Sequence, residues 1–123
     1  MVDPKEVDFE FPRGDTFVFG FQLVDANKNP LNFNVGDAEI YLTVKRNENT
    51  ADIIFQKKFS TGGILRDEEH DGYYYATINP NDTNSLKYGS YGYDVEVKIG
   101  DYVSTQIIGT MSLTKEYTHN SNE

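Results

Sequence analysis

Apolar and polar residues alternate along most of this chain, most regularly between Tyr91 and Thr114. Tyr91, Tyr93, Val95, Val97 and Ile99 share one parity; Gly92, Asp94, Glu96 and Lys98 share the other. A period of two gives a β-strand one buried and one wet face. Gly100-Asp101 follows with glycine first, the signature of a type II′ hairpin turn. The inward parity then resumes as Val103, Thr105, Ile107, Gly109, Met111 and Leu113, and only Ile108 departs from it. This hairpin predicts an all-β protein.

Upstream, Val7 to Phe11 alternates and stops at Pro12-Arg13-Gly14. Phe17, Phe19, Phe21 and Leu23 then line one face of a core strand, with Gly20 on the other parity, where a second backbone approaches or the strand bends. Asp25 to Pro30 reads as a turn and residues 32–37 as loop. A strand from Ala38 to Lys45 points Ile40, Leu42 and Val44 inward, and Asn47 to Thr50 turns the chain. Ile53, Phe55 and Phe59 mark a less regular strand. Ile64-Leu65 is short and apolar, and Tyr73 to Ile78 buries Tyr74, Ala76 and Ile78. Asn79 to Leu86 lacks alternation; Asp82 is placed to cap one helical turn, with Leu86 folded back on the core.

Short strands with turn signals every eight to twelve residues predict a sandwich or a barrel. The corner from Asn79 to Tyr91 favours the sandwich, because it resembles the connection between sheets in immunoglobulin-like domains, where a tyrosine anchors the corner. The expectation is an immunoglobulin-like antiparallel β-sandwich of about seven to nine strands. It spans residues 7–117, between a flexible N-terminus (1–6) and a polar tail (118–123). Its core comprises Phe17, Phe19, Phe21, Leu23, Ile40, Leu42, Val44, Tyr93, Val95, Val97, Ile107, Met111 and Leu113.

Composition narrows the partners. Eight Phe and nine Tyr with no Trp make the core aromatic, and with no Cys neither disulfides nor thiolate metal sites contribute. Eleven basic residues against twenty acidic ones leave a charge of −9, which disfavours nucleic acid and anionic membrane surfaces. No signal peptide and no membrane-spanning run is evident.

Catalytic chemistry has little to build on. His70 lies in an acidic loop and His119 in the polar tail, each without a neighbouring ligand set. Asp67 to Asp71 concentrates carboxylates but lacks EF-hand spacing and reads as a solvated loop. Arg13-Gly14-Asp15 is a chance tripeptide opening a strand, and Asn81-Asp82-Thr83 fits the glycosylation pattern without an export signal. No phosphate loop or nucleophile motif is present. The expectation is a non-enzyme with no catalytic, cofactor or metal residues.

The outward tyrosines are the remaining candidates. Tyr41, Tyr73, Tyr75 and Tyr102 fall on the wet parity, where they can anchor a protein interface, stack on sugar rings or form ordinary cross-strand pairs. Val7, Phe9 and Phe11 join them as candidate interface residues, in a short strand set to pair with a neighbour.

Arg13 to Phe17 with its Phe-rich strand, Asp25 to Leu31, Asn79 to Thr83 with Leu86, Tyr91 to Val95, and Gly109 to Thr114 together resemble immunoglobulin-like domains of tailed-bacteriophage structural proteins. Among these, the N-terminal domains of baseplate upper proteins are similar. The resemblance implies a non-enzymatic virion building block of the tail, baseplate, neck or head surface, assembled in the bacterial host cytoplasm. Its partners would be other virion proteins and further copies of itself. A carbohydrate-binding or adhesion sandwich is the alternative. The chain ends at Glu123, with none of the helical or receptor-binding region that follows in baseplate proteins.

Overall fold

A computed structural model describes residues 4–46 and 52–115. The turn expected at Asn47 to Thr50, the tail beyond Lys115 and His119 lie outside the described residues. Two sheets face each other. The larger contains β1 (Lys5–Glu6), β2 (Phe9–Pro12), β4 (Glu39–Lys45), β5 (Ile53–Lys58), β8 (Gly89–Ile99) and β9 (Tyr102–Thr114). Its order is β1-β9-β8-β4-β5, with β2 also on β9. The smaller contains β3 (Phe17–Gln22), β6 (Ile64–Arg66) and β7 (Tyr73–Ile78) in the order β3-β7-β6. The chain is an all-β sandwich.

The inward parity of each strong strand meets in one core. Leu23, Ile40, Leu42, Val44, Val95, Val97, Met111 and Leu113 are buried there, and Phe19, Phe21, Tyr74, Tyr91 and Tyr93 add aromatic bulk. Each fully buried side chain of this size contributes roughly 1.5–3 kcal/mol. Phe17 is half-buried but packs on the core, its ring stacked 4.6 Å from Phe11 and 5.1 Å from Phe9. At the hairpin, Gly100 has φ +57°, the left-handed region that its turn position requires.

Three expectations are corrected. The first concerns Val7 to Phe11, expected to pair with a neighbour. It is the first strand of its own sheet: β1 and β2 run parallel to β9, with Phe9 opposite Met111 and Phe11 opposite Leu113. Lys5 and Glu6, expected in a flexible terminus, form β1. The antiparallel sandwich therefore closes with two parallel pairings, β1 and β2 on β9. Phe11 is buried, and Phe9 stacks on Phe19 at 4.7 Å and meets Tyr93 edge-on at 5.1 Å. Apolar area is stabilised more by this core than by water, so the segment turns inward.

The second concerns β9. Val95 pairs with Ile107 but Glu96 pairs with Thr105, so Gln106 is an extra residue opposite β8. Such a β-bulge reverses the faces on one side of itself. Val103 is exposed and Thr105 half-buried on the outer face, while Ser104 and Gln106 turn inward beside Ile107. Gln106 is satisfied there: its Oε1 accepts from the Val24 N–H and its Nε2 donates to Ser104 Oγ. Ile108, the apparent exception, sits on the outer face opposite Asp94.

The third is Ile99, which shares the inward parity but lies exposed at the hairpin end.

The corner between sheets forms the expected helical turn, but its N-cap is Asn79, and Asp82, expected as the cap, sits inside the turn and reaches back to the Asn79 backbone. Pro80–Thr83 forms one helical turn, α1, with Asn79 as N-cap. The Asp82 carboxylate accepts from the Asn79 N–H at 2.8 Å and from Lys57 Nζ at 2.7 Å. Thr83 is buried, its hydroxyl accepting from the Gly14 N–H. Tyr91 then donates its phenol to the Lys87 carbonyl.

Candidate protein interface

The outer face of the smaller sheet carries no charge on its two longer strands. Register pairs Val18 with Thr77, Gly20 with Tyr75 and Gln22 with Tyr73, and Leu65 of β6 lies across from Tyr75 on the other side. These positions alternate with the buried Phe19, Phe21, Tyr74, Ala76 and Ile78, so they point away from the core. Val18 is 57% exposed, Leu65 46% and Tyr73 43%, while Tyr75 is half-buried. An uncharged strip of this kind is unusual on a chain of charge −9. Rigid rings with polar tips beside aliphatic side chains suit a protein contact.

The expected site residues separate into four places. Tyr73 and Tyr75 come together on this strip. Tyr41 lies on the outer face of the larger sheet, half-buried, opposite Lys58, whose ammonium sits 5.9 Å from the ring centroid. Tyr102 ends the β8–β9 hairpin opposite Ile99, both exposed. Phe11 is buried in the core, and Val7 and Phe9 are half-buried at its margin. Val18 and Leu65 were missed as interface positions. Their signal was an apolar residue on the wet parity, as for Ile108.

A depression of about 520 Å³ lies on the outer face of the larger sheet above Gly92, lined by Thr43, Lys45, Asp94, Ile108 and Thr110 among others. Burial and the neighbouring Glu96 carboxylate raise Asp94 above the ordinary carboxylate range, against the pull of Lys45. Thr43 is occupied, its hydroxyl accepting from Gln56 Nε2. No aromatic face is turned into this depression, because Tyr91 and Tyr93 border it while their side chains are buried on the core side.

The acidic loop is organised around its own backbone. Asp67 accepts from the His70 ring at 2.9 Å and from the Glu69 N–H, which together hold its carboxyl below the usual range. His70 in turn meets Tyr73 edge-on at 6.2 Å. Among the described residues, no group of three His, Cys, Asp or Glu side chains is arranged to hold a metal ion, and no helix is long and apolar enough to cross a membrane.

No protein-family model matches the chain, and no curated protein matches it in sequence.

Proposed function

We propose that this chain is a non-enzymatic structural module of a tailed-phage virion, an immunoglobulin-like domain that docks on other virion proteins through the outer face of its smaller sheet. The observation that carries the docking surface is the uncharged strip of Val18, Gly20, Tyr73, Tyr75 and Leu65 on an otherwise acidic chain. Interface cores are depleted in charge and enriched in tyrosine. Three features support the immunoglobulin-like reading: two facing sheets of six and three strands, parallel pairing of the first strands with the last, and the Tyr91 corner. The order of short motifs from Arg13 to Thr114 supports the virion assignment.

The test is co-expression of the chain with the structural genes beside its own, followed by particle purification. Tyr75→Lys with Leu65→Lys should lose incorporation while the isolated domain melts as the wild type does. Undiminished incorporation of that double variant would remove the outer face from the proposal. Saturable glycan binding abolished by Tyr75→Ala would favour a carbohydrate-binding module instead.

A further inference from the structure

We infer that β3 is a self-pairing edge, joining two copies of this chain antiparallel into one continuous sheet through Val18, Gly20 and Gln22. This rests on the reading of the protein as an assembly module, and it names one partner and one edge.

Among the described residues β3 pairs only with β7, so its other side is a free edge. The direction of its backbone groups is settled at its end. The Leu23 N–H donates to the Gly72 carbonyl on the β7 side. Hydrogen-bonding direction alternates along a strand, so Phe17, Phe19 and Phe21 also face β7. Val18, Gly20 and Gln22 therefore turn their N–H and C=O groups to the free side. Val24 is next in that series, and its N–H is taken by Gln106 from the bulge of β9, which closes the far end.

Edges usually carry a device that blocks pairing: a charge, a proline or a bulge. The other edges of this sandwich have one. β1 is Lys5-Glu6, β2 ends in Pro12, and β5 ends in Lys57-Lys58 while its register to β4 slips at its other end, between Ile53 and Phe55. β6 is only three residues and ends in Arg66. β3 reads Phe-Val-Phe-Gly-Phe-Gln, with no charge, no proline and no bulge in its pairing to β7. Beside it runs an open groove of about 780 Å³, bordered by Lys5, Phe21, Gln22, Lys28 and Gln106 among others.

A second copy is the occupant that fits. Two chains of charge −9 repel at most surfaces, yet here the pairing residues are neutral. An antiparallel pair centred on Gly20 sets Gly20 against Gly20 and Val18 against Gln22 of the other copy. Every free-side residue of β3 is then used, each pair exchanging two N–H···O=C bonds. Such a contact is isologous and closes as a two-fold dimer. The same register brings Asp15, just before β3, opposite Asp25 of the second copy, whose carboxylate already accepts from the Asn27 and Asn29 N–H groups.

Sedimentation equilibrium of the full chain tests this, with thermal unfolding of each variant as the folding control. The wild type should dimerise reversibly. Val18→Lys with Gln22→Lys puts like charges opposite each other in both cross-copy pairs, and should weaken dimerisation by more than about tenfold. Val18→Lys with Gln22→Glu makes both pairs opposite in sign and should restore it. Leu65→Lys, on the far strand of the same face, should leave the dimer intact. A wild type monomeric into the millimolar range would overturn the inference, as would a dimer that survives the double lysine variant. A charge-swapped variant that folds but stays monomeric would overturn it too. Loss of particle incorporation by Tyr75→Lys with Leu65→Lys, alongside a monomeric wild type, would sink the self-pairing edge and leave the docking face standing.

Discussion

The phenol of Tyr93 donates its hydrogen bond to the main-chain carbonyl of Val7, eighty-six residues away in the sequence. Val7 lies where the chain crosses from β1 to β2, and its N–H donates to Ile108. The Tyr93 ring is buried against Phe9 and Phe19. One side chain thus joins the middle of the larger sheet to its first strands. Burial, with Asp8 nearby, raises the phenol well above its ordinary pKa, so it remains a donor across the accessible pH range.

Tyr93→Phe keeps the ring and strands a carbonyl acceptor. The expected cost is about 1–3 kcal/mol, the penalty for an unmet buried polar group. Urea unfolding with an unchanged m-value would check it. A midpoint equal to the wild type would mean that water replaces the phenol at Val7.

Gly109 sits under the same crossing. A Cβ there would overlap the Val7 carbonyl and come 3.0 Å from Cε1 of Tyr93. Gly109→Ala must displace either the β1–β2 crossing or the ring, and should cost about 3 kcal/mol, the upper end of overpacking. Gly20→Ala is the control, since its Cβ would meet nothing nearer than 4.0 Å. It should change stability by less than about 0.5 kcal/mol, as surface substitutions do. Equal losses at both positions would deny the close approach.

Much of this arrangement was legible in the residues. Period-two stripes such as Phe17 to Leu23 and Ile40 to Val44 predicted core strands, and Gly100-Asp101 predicted a tight turn. Asp82 marked its single helical turn. The bulge at Gln106 was hidden because Val103 and Thr105 are β-branched residues on a plausible parity, and a one-residue slip has no local mark when both faces hold such residues. The partner of Val7 to Phe11 was hidden for another reason. An alternating segment states that it needs a sheet edge, and here the edge is β9, at the opposite end of the chain. The uncharged face was scattered across Val18, Leu65, Tyr73 and Tyr75, and only the registers of β3, β7 and β6 assemble it.

Asp94 should set a pH dependence. Its folded pKa lies above the ordinary 3.8 because burial and Glu96 disfavour the carboxylate. The folded state therefore binds this proton more tightly than the unfolded state. Its contribution to stability is greatest below pH 3.8 and is lost as pH rises from there through the higher folded value. Asp94→Asn removes the buried charge, so it should raise the melting temperature at pH 7 and bring little gain at pH 3. Asp25, Glu39 and Asp67 are shifted the opposite way and should make the wild type less stable in acid. An Asp94→Asn gain of equal size at both pH values would assign the effect to something other than ionisation.

Deleting residues 1–12 should unfold the domain rather than merely detach it from partners. The truncation removes β1 and β2, and with them the buried Phe11 and the Phe9 ring that stacks on Phe17 and Phe19. Truncating one buried Phe costs about 3–5 kcal/mol, against a total stability of about 5–15 kcal/mol for a typical domain. Losing both rings, the parallel pairing to β9 and the Tyr93 acceptor together exceeds the lower part of that range. It also bares the inner edge of β9, from Ile107 to Thr114, as a new site for aggregation. Near-ultraviolet circular dichroism would follow the aromatic packing, and thermal unfolding the stability. The expected truncation has lost its sharp transition at room temperature. A truncated chain with wild-type melting and reduced assembly would show the opposite, that the first strands serve a neighbour and not their own core.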